Sequence, residues 1–133
     1  MKIAGTAVSW KTGKQECNVL SSLEVEYIAA ILASKEIIWL HRLLGEFGYP
    51  QQGLTIIKID NKGAKELANN KVVNLKTKHI DLRYHFIREC IKHDTIKLKT
   101  ISGKLNPADV FTKALPNHKF RKYREEMGVL SVN

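Results

Sequence analysis

The chain has 133 residues, the size of one domain, and its 44% apolar content excludes the composition of a disordered tail. A formal net charge of +9 favours a polyanionic partner, most often nucleic acid, although charge by itself also suits acidic proteins or anionic lipid. Two widely spaced cysteines, Cys17 and Cys90, exclude a disulfide framework and are expected to be reduced thiols. No apolar run approaches the roughly 18 residues of a membrane span, and the opening residues do not read as a signal peptide. The expectation is a soluble intracellular protein with no membrane partner.

In chain order, Thr6 to Trp10 reads as a short strand and Lys11-Thr12-Gly13-Lys14 as a polar turn. Gln15 to Leu20 then forms a returning strand or continues a bent one. Ser21-Ser22-Leu23-Glu24 is a capping box that opens a helix running to about Phe47, with Gly48 and Pro50 as stop signals. Val25, Ile28, Ala29, Leu32, Leu40, Leu43, Leu44 and Phe47 are the expected core face. Leu54 to Ile59 is a nearly continuous apolar strand, the pattern of a central strand buried on both faces. Asp60-Asn61-Lys62-Gly63 ends it, a short helix begins at Ala64, and Asn69 to Thr77 is a polar, basic loop.

A second long helix spans His79 to about His93, with Ile80, Tyr84, Ile87 and Ile91 in one stripe and Cys90 in the core. Thr95 to Ile101 alternates apolar and polar residues and predicts a half-exposed strand. Asn106-Pro107 is an N-cap followed by proline at the first helical position, predicting a helix to about Ala114. A basic helix from Lys119 to Met127 closes at Gly128. Strands joined through helices imply an α/β fold in one domain, with at least one parallel pair.

Three carboxylates could carry chemistry, and each has a plainer explanation. Glu26 shares a helix face with Ala29, Ala30 and Ala33, small residues that would let the helix approach a sheet; the plainer account is a solvated position at the edge of that face. Asp60 ends the most buried strand, where α/β folds collect ligand sites; Asp-Asn-Lys-Gly is also ordinary turn chemistry. Asp109 lies in the first turn of a helix, where the dipole favours an acid with no further role. His79, Asp81, His85 and His93 lack the spacing of a zinc site. Lys71, Lys76, Lys78, His79 and Arg83 crowd one loop-to-helix junction, Lys11 and Lys14 lie on the early turn, and Lys113 belongs to a C-terminal basic cluster. These residues suit phosphate contacts, or solvated charge.

Five ordered segments carry a resemblance to a known family. Val8-Ser9-Trp10-Lys11 and Ser21-Ser22-Leu23-Glu24-Val25-Glu26-Tyr27 resemble the I-S-W-K and S-S-T-E-A-E-Y motifs of copia-type retrotransposon ribonuclease H. Ile59-Asp60-Asn61-Lys62-Gly63-Ala64 is similar to its C-D-N-Q-S-A. Residues Thr77 to Glu89 resemble T-K-H-I-D-V-R-Y-H-F-I-R-E, and Asn106 to Pro116 resemble Q-x-A-D-x-x-T-K-x-L-P. The resemblance covers the chain from about Val8 to Gly128.

It implies a ribonuclease H-like fold, a mixed sheet flanked by helices, and two-metal hydrolysis of the RNA strand of an RNA–DNA hybrid. The implied cofactor is Mg²⁺, or Mn²⁺ in its place. Glu26, Asp60 and Asp109 would be the second, third and fourth of four metal-binding catalytic carboxylates, with Asp60 bridging both ions. Lys11, Lys14, Lys76, Lys78, His79, Arg83 and Lys113 would contact nucleic acid. The implied partners are the hybrid and the reverse transcriptase portion of the same polyprotein. The implied setting is the cytoplasm, in a virus-like particle, or the nucleus.

The sequence also departs from the family pattern. Asp60 is its first aspartate, so the Y-S-D-A-D-W motif and its catalytic aspartate have no counterpart here. The family's first two strands are expected to be lacking, which leaves an edge of the Leu54–Ile59 strand open to self-association. Weak metal binding and little or no activity are expected of this chain. The competing expectation is a non-catalytic remnant that binds nucleic acid or self-associates.

Overall fold

The computed structural model describes residues 1–13, 22–60, 62 and 78–129, with the side chains of 22–24 and 78–84 outside that description. Its elements are β1 (Lys2–Ile3), β2 (Thr6–Ala7), α1 (Ser22–Glu46), β3 (Thr55–Ile59), α2 (Lys78–Lys92), β4 (Ile96–Thr100), 3-10 turns at Gly103–Leu105 and Pro107–Phe111, and α3 (Asn117–Glu126). The fold is mixed α/β. It forms two compact units, Met1–Glu16 with Ser102–Asn133, and Cys17–Ile101. No helix among the described residues is long and apolar enough to cross a membrane.

In the Cys17–Ile101 unit, β3 and β4 form a parallel pair in the register Thr55↔Ile96 through Ile59↔Thr100. The expected parallel pair is therefore present, joined through α2. α1 packs on β3, α2 on β4, and the helices on each other. Side chains alternate across a strand, so Ile57, Ile59, Ile96 and Leu98 form the buried side, with Ile87 of α2 fully enclosed. His41 Nε2 and Thr55 Oγ1, 2.9 Å apart, tie α1 to the start of β3.

Two sequence expectations fail here. β3 is not buried on both faces: Ile56 is 51% exposed, and Lys58, Lys97 and Lys99 share its exposed side. The helices cover one side of the pair, and among the described residues β3 pairs with β4 alone. Lys58 stands directly opposite Lys99, a like-charge pair that discourages further stacking on this side. The core face of α1 also differs from the one expected. Val25, Leu32 and Phe47 are exposed, whereas Tyr27, Ala30, Ile31, Ser34 and Ile37 are buried. α1 is apolar around much of its circumference, so periodicity does not single out a side. Ser34 is tolerated inside because its hydroxyl donates to Ala30 O at 2.7 Å.

All three described helices end in one hydrogen-bond pattern, the Schellman motif. For α1, Tyr49 N donates to Leu44 O at 2.8 Å and Gly48 N to Gly45 O at 3.0 Å, with Gly48 at φ +83°. Gly128 does the same after α3. After α2 the left-handed position is Asp94, at φ 51°, with Thr95 N bonded to Cys90 O at 2.9 Å. The two glycines are legible as stop signals; Asp94 is not.

In the other unit, β1 and β2 form a hairpin with the two-residue loop Ala4-Gly5, both at positive φ. Thr6 to Trp10 is therefore not one strand: its first two residues form the hairpin's second arm. Ala7 N donates to Met127 O at 2.7 Å, and Gly128 sits so close to Thr6 that an added Cβ would lie 2.7 Å from its Oγ1. Tyr123 is buried and its hydroxyl donates to Lys104 O at 2.7 Å. The α-helix expected from Pro107 to Ala114 is instead a five-residue 3-10 turn. Proline favours its start, and Pro116 stops helical continuation soon after. The Gln15–Leu20 strand, the capping serine Ser21, the helix at Ala64 and the loop from Asn69 to Thr77 lie outside the described residues.

Two stability changes follow. Ile87→Ala should lower unfolding free energy by about 2–5 kcal/mol, because it empties a fully buried site; equilibrium denaturation measures it. Asp94→Gly should raise stability by about 0.5–1 kcal/mol by relieving a left-handed L-residue, and a lower melting temperature would contradict that reading.

Candidate metal and nucleic-acid site

The end of β3 and the first turns of α1 meet at a pair of carboxylates. Residue 26 lies one position before the buried Tyr27, so its side chain emerges at the margin of the helix's packed face. Ala30, one turn on, is buried, and such a small residue permits close approach of helix and strand. Glu26 Oε1 there accepts a long hydrogen bond, 3.4 Å, from the backbone amide of Asp60. Asp60 is the first residue past β3 and is exposed. The backbone bond from Ile101 N to Ile59 O, at 2.8 Å, fixes the strand end just before it.

Glu26 is half-buried, and its carboxyl is held above the usual carboxylate range. Loss of solvation is the main cause, followed by the negative charge of Asp60, while the amide of Asp60 opposes both. Two carboxylates this close, one of them desolvated, repel each other. A divalent ion placed between them would relieve the repulsion, so the donor set fits a hard cation.

Asp109 belongs to the other compact unit. It is the third residue of the Pro107–Phe111 turn, whose N-cap Asn106 accepts from Ala108 N at 3.1 Å. Lys113 Nζ lies 3.1 Å from Asp109 Oδ1 across one helical turn. Lys113 is therefore already engaged with a carboxylate as well as being exposed. Among the described residues no three acidic, histidine or cysteine side chains converge on one point.

Lys11 is exposed. Lys14 and Lys76 lie outside the described residues. Lys78, His79 and Arg83 occupy the first turns of α2, with their side chains outside the description. His85 is exposed, and His93 pairs with Glu89 at 3.1 Å on the surface. Cys90 is buried and free, and burial pushes its thiol pKa up, the state of a core residue rather than a nucleophile. One feature escaped the sequence reading: Trp10 stacks on Phe111, with ring centroids 6.1 Å apart and planes 8° apart. A tryptophan beside Lys11 was the available signal.

Comparison with known proteins finds relatives along nearly the whole chain. It is similar to a segment of retrovirus-related Pol polyproteins from plant transposons. It is 42% identical over 128 residues, 96% of its length, to the Pol polyprotein from transposon TNT 1-94 of Nicotiana tabacum. It is 35% and 34% identical, over 94% of its length, to those from transposons RE2 and RE1 of Arabidopsis thaliana. It spans only 8–10% of the length of these relatives. No family model matches the chain, and no solved structure matches it.

The raised Glu26 pKa makes a signed prediction for protein free of divalent ions. A carboxyl with a raised folded-state pKa costs stability as pH rises from the ordinary carboxylate value through the raised one. Glu26→Gln keeps an oxygen for the Asp60 amide and removes the charge. The variant should match or exceed the parent's melting temperature at neutral pH, with the difference shrinking below the ordinary carboxylate pKa. A parent more stable than the variant at pH 7 would reverse this account.

Proposed function

We propose that this chain is a ribonuclease H-like segment of a copia-type retrotransposon Pol polyprotein, whose inherited site acts on the RNA strand of RNA–DNA hybrids. The observation that carries the reading is the approach of Glu26 to Asp60. Two of the carboxylates that the motif resemblance assigns to the site meet at the end of a β-strand. The similarity to Pol polyproteins along nearly the whole chain supports the setting.

Glu26 and Asp60 would hold a divalent ion, Mg²⁺ or Mn²⁺; Asp109, in the other compact unit, is a metal-binding carboxylate by the motif resemblance alone. The ion supplies Lewis acidity and a lowered pKa for bound water. The residues' own contributions are narrower. Asp60, exposed at the strand end, presents oxygens towards solvent and substrate. Glu26, half-buried, is the positioned partner whose charge becomes favourable once a cation is near. Lys113 pairs with Asp109 and offsets its charge. Lys11, Lys14, Lys76, Lys78, His79 and Arg83 would steer the hybrid by its phosphates.

The reading keeps the reverse transcriptase portion of the polyprotein as its structural partner, in a virus-like particle or the nucleus.

Mn²⁺ binding, followed by water proton relaxation, tests it directly. Asp60→Asn should weaken Mn²⁺ affinity about ten-fold or more. Any cleavage of a labelled hybrid should disappear in the same variant. Mn²⁺ affinity indifferent to both Asp60→Asn and Glu26→Gln would leave a nucleic-acid-binding remnant as the better description.

A further inference from the structure

A tryptophan's side chain is among the largest apolar payloads a chain can bury, yet Trp10 is 63% exposed. It is nonetheless held in place. Backbone pairing of the N-terminal segment runs up to Ser9, whose carbonyl accepts from the Met1 amino group, and Val8 N donates to Met1 O at 2.9 Å. The indole then stacks on Phe111, nearly parallel at 8°. Phe111 ends the turn that bears Asp109, within the same compact unit. One side of the indole is thus backed, and its exposed area lies on the other side and edges.

The unit that holds Trp10 is cationic. Lys11 follows directly and is exposed. In the described part of this unit Lys2, Lys104, Lys119, Arg121, Lys122 and Arg124 outweigh Asp109, Glu125 and Glu126. Lys113 is occupied by Asp109, whereas Lys11, next to Trp10 in sequence, is engaged by no carboxylate in a described ion pair.

We infer that Trp10, backed by Phe111 and flanked by Lys11, is a stacking platform for an unpaired nucleobase. A preset aromatic plane next to an ammonium group matches the two halves of a nucleotide, a flat π-face and a phosphate. The backing ring fixes the indole beforehand, so binding loses little side-chain freedom. The ligand class is single-stranded DNA or RNA, read by stacking and therefore tolerant of sequence. The inference does not depend on hydrolysis: it concerns the unpaired strand, whereas the carboxylates concern the hybrid.

The test uses the whole chain carrying Trp39→Phe, which leaves Trp10 as its one tryptophan. Titration with a short oligothymidylate at low salt should quench the Trp10 emission saturably, and a blunt duplex should bind without quenching it. Trp10→Ala should weaken oligothymidylate binding about ten-fold or more, while Trp10→Phe, which keeps an aromatic plane, should stay within about three-fold. Lys11→Gln should reduce the salt dependence by about one phosphate contact. Circular dichroism checks that Trp10→Ala is folded; if it is not, the quenching and the Trp10→Phe and Lys11→Gln results decide. Binding without quenching, no binding, or an unchanged affinity in folded Trp10→Ala would each overturn the inference. Mn²⁺ affinity indifferent to Asp60→Asn and Glu26→Gln, with quenching intact, would remove the metal-site reading and leave this one standing.

Discussion

The parallel pairing of β3 with β4 organises everything described in the Cys17–Ile101 unit. It gives α1 and α2 a common surface, and it fixes the point at which the chain leaves β3 for Asp60. Two five-residue strands make a small sheet, and two strands alone are marginal in water. The unit is sustained by the helices, through Ile57, Ile59, Ile96 and Leu98 on one side and Ile87, Cys90, Ile31 and Ile37 on the other. The carboxylate pair is a by-product of that packing. Glu26 reaches Asp60 because Tyr27, Ala30 and Ile31 seat the helix beside the strand.

The same arrangement explains why the pair is under electrostatic tension. Packing desolvates Glu26, and the strand end delivers a second negative charge to it. Among the described residues no lysine or arginine bridges the two, although the chain carries a large excess of both. The third proposed carboxylate, Asp109, is treated differently, with Lys113 one turn away.

Much of the fold was legible because its signals are local. The alternation of Ile96, Leu98 and Thr100 with Lys97 and Lys99 marked a half-exposed strand, and it is one. Gly48 and Gly128 marked helix ends. What was not legible depended on the rest of the molecule. An apolar run such as Leu54 to Ile59 does not disclose whether its second side will be covered. The apolar circumference of α1 does not disclose which side meets the sheet. Asp94 adopts a left-handed backbone because the Schellman hydrogen bonds and the following strand require it, and aspartate seldom announces that. The hairpin at Lys2 to Ala7 depends on Met127 and Gly128, more than a hundred positions away. For the site, residue spacing left Glu26 and Asp60 with ordinary alternatives, and motif resemblance linked them. Their approach is a three-dimensional fact that no periodicity contained.

The hairpin at Lys2 to Ala7 has a consequence in time. Its companions, α3 and Gly128, follow it by more than a hundred positions, with β3, α2 and β4 between. The Cys17–Ile101 unit is continuous in sequence and can settle while synthesis proceeds. The hairpin is made before that unit and its companions after it. Residues Lys2 to Ala7 thus wait through the synthesis of a whole unit for their native neighbours.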